Sequence, residues 1–268
     1  MLSKLLKHDL KDFSKSMFII YIALIGLSLL TKGFELLSNN LQIFNVLYSI
    51  SIFVFILAIV LAFLLCFIIS ISSFYKKIFK DNGYLTNTLP VSKKNIIFSK
   101  LITSIIFIIL TIIVVVLSLL ITFYTEGIIG DLWNSFTTAL NESGIENVGS
   151  IYVAILILIL TVFLQYVNTL FIFFCGISIG HSFSNKKLEY SIMCVALIYI
   201  ALQVISSIGL ISGFLIRVDF TDIMNNNIPM SIDYFIQIFG IACGINVISI
   251  TTLFCITNNY LKNKLNLE

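Results

Sequence analysis

Hydrophobic positions along the chain gather into six long runs separated by short polar connections. The runs extend from Met17 to Leu37, Ile43 to Phe74, Lys100 to Tyr124, Ile151 to Ile179, Ser191 to Ile216 and Tyr234 to Ile256. A helix crossing a hydrocarbon core needs about 20 apolar residues, and each run meets that need. None alternates apolar and polar residues as a barrel strand would. A helix also satisfies its backbone groups internally, which lipid demands. The pattern predicts an all-α integral membrane protein with six transmembrane helices, organised as one domain over 1–268. The first run is the weakest, because Lys32 and Glu35 interrupt its far end. The second is overlong and is expected to project beyond the membrane.

Two polar segments carry patterns of their own. In "MLSKLLKHDLKDFSKS", Leu2, Leu5, Leu6, Leu10 and Phe13 recur at helical spacing, while Lys4, Lys7, Lys11 and Lys15 take other faces. This predicts an amphipathic interfacial helix over 1–16. Its charges run throughout and no small-residue cleavage site follows, so a cleavable signal is not expected. Between Thr125 and Ser150, Asp131 can cap a short helix whose apolar face would hold Leu132, Trp133, Phe136 and Leu140.

Composition narrows the class. Hydrophobic residues make up 59% and charged residues 11% of the 268 positions, against about 25% charged in ordinary soluble domains. So few charges cannot cover a water-facing surface. The formal net charge of +3 gives no reason to expect nucleic acid as a partner. The five cysteines, Cys66, Cys175, Cys194, Cys243 and Cys255, all fall in apolar runs without metal or redox spacing. Of the 16 lysines and arginines, all but Lys32 and Arg217 fall on one side of the six runs. That asymmetry predicts cytoplasmic termini and a cytoplasmic connection over 75–95. The abundance of Lys, Ile and Asn suggests an AT-rich bacterium, and hence a bacterial cytoplasmic membrane.

Several chemistries lack their residues. There is no G-x-x-x-x-G-K-[ST], so nucleotide hydrolysis is not expected on this chain. There is no H-E-x-x-H; His8 and His181 stand too far from other ligands for a metal site. No serine or cysteine has a visible base partner. The expectation is a non-enzyme without a cofactor of its own. The centres of the runs also lack Asp, Glu, Lys, Arg and His, the groups on which ion coupling usually depends. Uphill transport would then draw its energy from outside the membrane, through a docking surface.

Polar side chains in the runs are neutral. Thr161, Gln165, Asn168 and Thr169 recur at three- and four-residue spacing on the fourth run. The fifth has Gln203, Ser206 and Ser207, and the sixth Asn246 and Ser249. Such residues avoid lipid and face other helices or a cavity. Packing and a pathway lining both stay open, with Gln165, Asn168 and Gln203 the candidates for the lining.

The connection "YKKIFKDNGYLTNTLPVSKKN" is the most patterned polar stretch. The second helix is expected to continue through Phe79 until Asn82-Gly83 stops it. Pro90 bars ordinary continuation, and Ser92 can cap the next helix. Tyr84, Leu85 and Leu89 are then left beside the bilayer, to meet a protein partner, the inner leaflet or the other loops.

The stretch "FYKKIFKDNGYLTNTLPVSKKNIIFSKLI" resembles the first cytoplasmic loop of bacterial ABC-2 type permeases, the membrane subunits of ATP-driven exporters. Asp81, Gly83, Tyr84, Leu85, Thr86, Thr88, Leu89, Pro90, Val91, Ser92 and Lys100 stand at the matching positions. Asn82 departs from the family, which often has glutamate there. The resemblance implies a coupling helix between spans 2 and 3 that sits in a cleft of a separate ABC ATPase subunit. Asp81, Gly83, Tyr84, Leu85, Thr86, Leu89 and Pro90 would form that contact. It further implies that segment 1–16 is an elbow helix. Two ATPase copies, holding ATP and Mg, and a second permease, identical or sister, would complete the transporter. Solute would pass between the permeases, flanked by spans 2 and 5, which favours Gln203. Peptides, antimicrobials or other amphipathic compounds are the expected cargo. A non-transporting immunity or sensory subunit is the alternative, and a secondary transporter a further one.

Overall fold

The computed structural model describes residues 2–38, 42–79, 92–124, 130–131, 134–135, 137–138, 148–183, 186–217 and 232–263. Six long helices account for nearly all of them. They are α1 (Leu2–Ser38), α2 (Gln42–Phe79), α3 (Lys93–Phe123), α4 (Val148–Gly180), α5 (Lys187–Arg217) and α6 (Ile232–Asn263). No strand occurs among the described residues. All six are long and apolar enough to cross a membrane. Their bounds follow the six apolar runs, and α2 reaches Phe79 as the pattern of its polar end predicts. Gly130, Asp131, Asn134, Ser135, Thr137 and Thr138 are helical, where the short helix is expected; Trp133 lies outside the described residues.

The expected boundary between an interfacial helix over 1–16 and the first span does not exist as a break. α1 runs unbroken from Leu2 to Ser38. No glycine or proline stands between Leu10 and Tyr21 to end a helix. The apolar stripe also continues through the junction: Phe13, Met17 and Leu24 are all buried. Ser92 occupies the N-cap position of α3, but its hydroxyl makes no capping bond. Its carbonyl instead accepts from the backbone N–H of Asn95 at 2.9 Å.

The helices pack as two compact units, Met1–Leu140 and Asn141–Glu268. In the first, α1 packs against both α2 and α3. One buried cluster joins Phe13, Met17, Cys66 and Phe107, with the Phe13 and Phe107 rings stacked at 4.4 Å. A second joins Leu24, Phe55, Ala62 and Val115. Between them the Tyr21 hydroxyl lies 2.9 Å from Thr111 Oγ1. The Phe107 carbonyl accepts from the Thr111 hydroxyl at 2.7 Å and from the Tyr21 hydroxyl at 3.3 Å. Lys32, which interrupts the first run, donates to Glu35 and to the carbonyl of Tyr124 just past α3, both at 2.9 Å. A cation at a helix C-terminus answers its unpaired carbonyls and dipole.

In the second unit, α4 packs against α5 and α6, and α5 against α6. Two G-x-x-x-G pairs allow close approach. Gly176 and Gly180 of α4 face Val195 and Ser191 of α5. A Cβ on Gly176 would lie 2.8 Å from the Val195 backbone nitrogen, and one on Gly180 would overlap the Ser191 backbone. Gly209 and Gly213 of α5 meet only the side-chain tips of Ile245 and Ile241. The α4–α5 contact is therefore backbone to backbone and the α5–α6 contact is looser. α4 ends at Gly180. His181 follows, buried, with its backbone N–H bonded to the Ile177 carbonyl at 3.0 Å.

Candidate functional site

In the first unit, polar chemistry collects around Asp9. Asp9 lies four residues before Phe13 and eight before Met17, on the same buried face of α1. Its carboxylate is 4% exposed. Oδ1 accepts from Lys77 Nζ of α2 and Lys100 Nζ of α3, each at 2.7 Å. Oδ2 accepts from the Ser99 hydroxyl at 2.7 Å. Lys100, also 4% exposed, donates to Ser73 Oγ at 3.3 Å. Lys77 pairs with Asp12 as well, at 2.7 Å. Two carboxylates thus face two ammoniums, and the cluster is neutral as a whole. One acid on α1 ties together the end of α2 and the start of α3, the two flanks of the 80–91 connection.

In the second unit, polar chemistry collects on the facing sides of α4 and α6 and is uncharged. Asn168 Nδ2 donates to Asn246 Oδ1 at 3.0 Å, and the Ser249 hydroxyl donates to Asn168 Oδ1 at 2.7 Å. Asn246 Nδ2 donates to the Ala242 carbonyl at 3.0 Å. Seven residues before Asn168 on α4, Thr161 Oγ1 approaches Cys243 Sγ at 3.1 Å. All three of Asn168, Asn246 and Ser249 are buried. The network fastens α4 to α6.

Beside it, α4, α5 and α6 enclose a partly open cavity of about 370 Å³. That is the lower end of the roughly 300–1,000 Å³ of small-molecule pockets. Gln165, Asn168 and Gln203 all line it, together with Tyr199, Ser206 and Asn246. The three expected lining residues are therefore brought together on one cavity, but they are not equivalent. Asn168 is buried and committed to the α4–α6 network. Gln165 and Gln203 are exposed, and neither carboxamide bonds to a described residue; their backbone carbonyls accept from side chains, that of Gln165 from Thr169 and that of Gln203 from Ser206 and Ser207. The walls carry no Asp, Glu, Lys, Arg or His among the described residues.

The coupling residues Asp81, Gly83, Tyr84, Leu85, Thr86, Leu89 and Pro90, with the short helix expected there, lie outside the described residues. Lys100, the last of the matching positions, is described, and it is a partner of Asp9. Sequence reading passed over Asp9 because it weighed the N-terminal segment by its leucines and lysines. An acid set on the apolar face at the spacing of Phe13 and Met17 is the signal that finds it.

His181 forms a smaller polar site after α4. Its Nδ1 lies 3.0 Å from both the Ile177 carbonyl and Ser191 Oγ. The carbonyl can only accept, and the Ser191 hydroxyl donates to the Lys187 carbonyl at 2.8 Å. Nδ1 therefore carries the proton. Burial holds the imidazole pKa below its usual value and the nearby Lys187 adds to the effect, while the bond to Ile177 opposes it. Among the described residues no group of His, Cys, Asp and Glu could hold a metal ion. No family model, curated protein or solved structure matches the chain.

Proposed function

We propose that the chain is the membrane subunit of an ATP-driven exporter of the ABC-2 permease type. The sequence of the connection between α2 and α3, with Asp81, Gly83, Tyr84, Leu85, Thr86, Leu89 and Pro90, carries this reading. The apolar exterior of the helices supports insertion in a bilayer. Ile19, Ile43 and Ile192 are 70%, 70% and 72% exposed, and water tolerates no such continuous surface. The lysine asymmetry supports a cytoplasmic membrane with both termini inside. ATP and Mg are then held by two copies of a separate ABC ATPase, and a second permease completes the pathway. The Asp9 cluster gives docking a mechanical consequence: both flanks of the connection are bonded to one carboxylate of α1, so their displacement is passed to α1. Cargo is an amphipathic compound, such as a peptide or antimicrobial.

The test is copurification of a P-loop ATPase with the tagged chain from its native membrane. Truncating an aromatic anchor at an interface often costs about 2 kcal/mol or more, roughly thirtyfold in affinity. Tyr84→Ala with Leu85→Ala should release the ATPase while leaving the chain inserted and folded. A double variant that keeps both its partner and its transport rate contradicts the docking role and favours a non-transporting membrane subunit.

A further inference from the structure

The cavity of the second unit has walls of two kinds. Ile172, Leu202 and Leu210 supply apolar surface. Gln165 and Gln203 supply carboxamides with no partner among the described residues. Each carboxamide offers two donors and an acceptor. Leaving such groups unpaired next to an apolar environment costs free energy, and a hydrogen-bonding occupant recovers it. The lining holds no charged group that could compensate an ion, so an ionic occupant would leave water without a counter-charge.

We propose that this cavity binds an uncharged, amide-bearing amphiphile. The Gln165 and Gln203 carboxamides pair with its amide groups, and Ile172, Leu202 and Leu210 receive its apolar part. An amide suits the site because it presents one donor and one acceptor, the complement of what a carboxamide presents. Asn168 also lines the cavity but holds α4 on α6, so it shapes the site without being free to bind. That the occupant is exported cargo rests on the function proposed above; the binding itself does not.

The experiment uses the full-length chain in lipid nanodiscs without an ATPase, and dansyl-leucine amide as the probe, followed by its emission. Dansyl-leucine with a free carboxylate and dansyl-lysine amide with a free ammonium serve as charged counterparts. The neutral probe should bind saturably and at least about tenfold more tightly than either charged one. Gln165→Leu with Gln203→Leu should weaken it by about tenfold or more, at unchanged thermal stability. Gln203→Glu keeps the exposed side chain polar and should turn the preference toward dansyl-lysine amide. Failure of the neutral probe to bind, equal binding of all three, or a double variant and a Gln203→Glu variant both matching the wild type would overturn the site. Binding is read without nucleotide or partner, so it stands or falls separately from the ATPase copurification.

Discussion

Asp9 and Asn168 hold comparable places in their units. Each is a buried polar side chain on the unit's first helix, and each gathers its partners from across the helix interface. Asp9 does so with charge, through two ammoniums and a hydroxyl, in the first turns of α1. Asn168 does so without charge, near the middle of α4. The difference follows position. A charge at the centre of an apolar helix is costly, so neutral amides are used there, whereas an ion cluster is tolerated near a helix end. A buried ion pair also fixes its partners strictly, because removing Asp9 strands the buried Lys100. A neutral network tolerates neighbours with no partner at all, which is how Gln165 and Gln203 come to stand open beside Asn168.

The largest test of this contrast is Asp9→Ala. It strands Lys100, which is as buried as Asp9 itself, and removing one partner of a buried ion pair costs about 3–5 kcal/mol. The purified protein should melt far lower than the wild type. Adding Lys100→Met to Asp9→Leu should recover much of the loss, since Lys77 retains Asp12. An Asp9→Ala variant as stable as the wild type would mean that the cluster fastens nothing.

The neutral side is tested by a pair of variants on one cavity. Asn168→Ala leaves Asn246 and Ser249 without their partner and should cost about 1–3 kcal/mol. Gln203→Leu removes no side-chain bond to a described residue and should change stability by no more than about 0.5 kcal/mol. Thermal unfolding of the two variants side by side separates packing amides from open ones. Equal losses would erase the distinction.

The six helices were legible in the apolar runs, to within a few residues at most ends, because hydrophobic length and polar punctuation are local signals. The α4 face holding Thr161, Gln165 and Asn168 was equally legible from spacing. Which of these is bound and which is open was not, since the partners Asn246 and Ser249 lie about 80 residues away in the chain. The continuity of α1 through Met17 was not legible, because the lysines stop there while the buried stripe does not. G-x-x-x-G at Gly176–Gly180 and Gly209–Gly213 was present in the sequence as a packing signal, and only the structure separates the backbone contact from the side-chain one.

The smallest expected effect concerns pH. The folded-state pKa of His181 lies below its unfolded value, so the unfolded chain takes up a proton first as pH falls. Its contribution to stability is present above about pH 6.5 and is lost as pH drops toward the folded-state pKa. His181→Gln should flatten this part of the stability profile between about pH 7.5 and about pH 5.5. A wild type and variant that lose stability in parallel would place the pH dependence elsewhere.

We propose two separate roles: an amphiphile is bound in the neutral cavity of the second unit, and an ATPase docks on the connection of the first. ATP turnover by the purified complex, titrated with dansyl-leucine amide, tests them together. The wild type should respond saturably. The Gln165→Leu/Gln203→Leu variant should keep its ATPase and lose the response, and the Tyr84→Ala/Leu85→Ala variant should lose the ATPase itself. Turnover that still rises with the probe in the glutamine variant, or a wild-type preparation that carries no ATPase, would contradict the account.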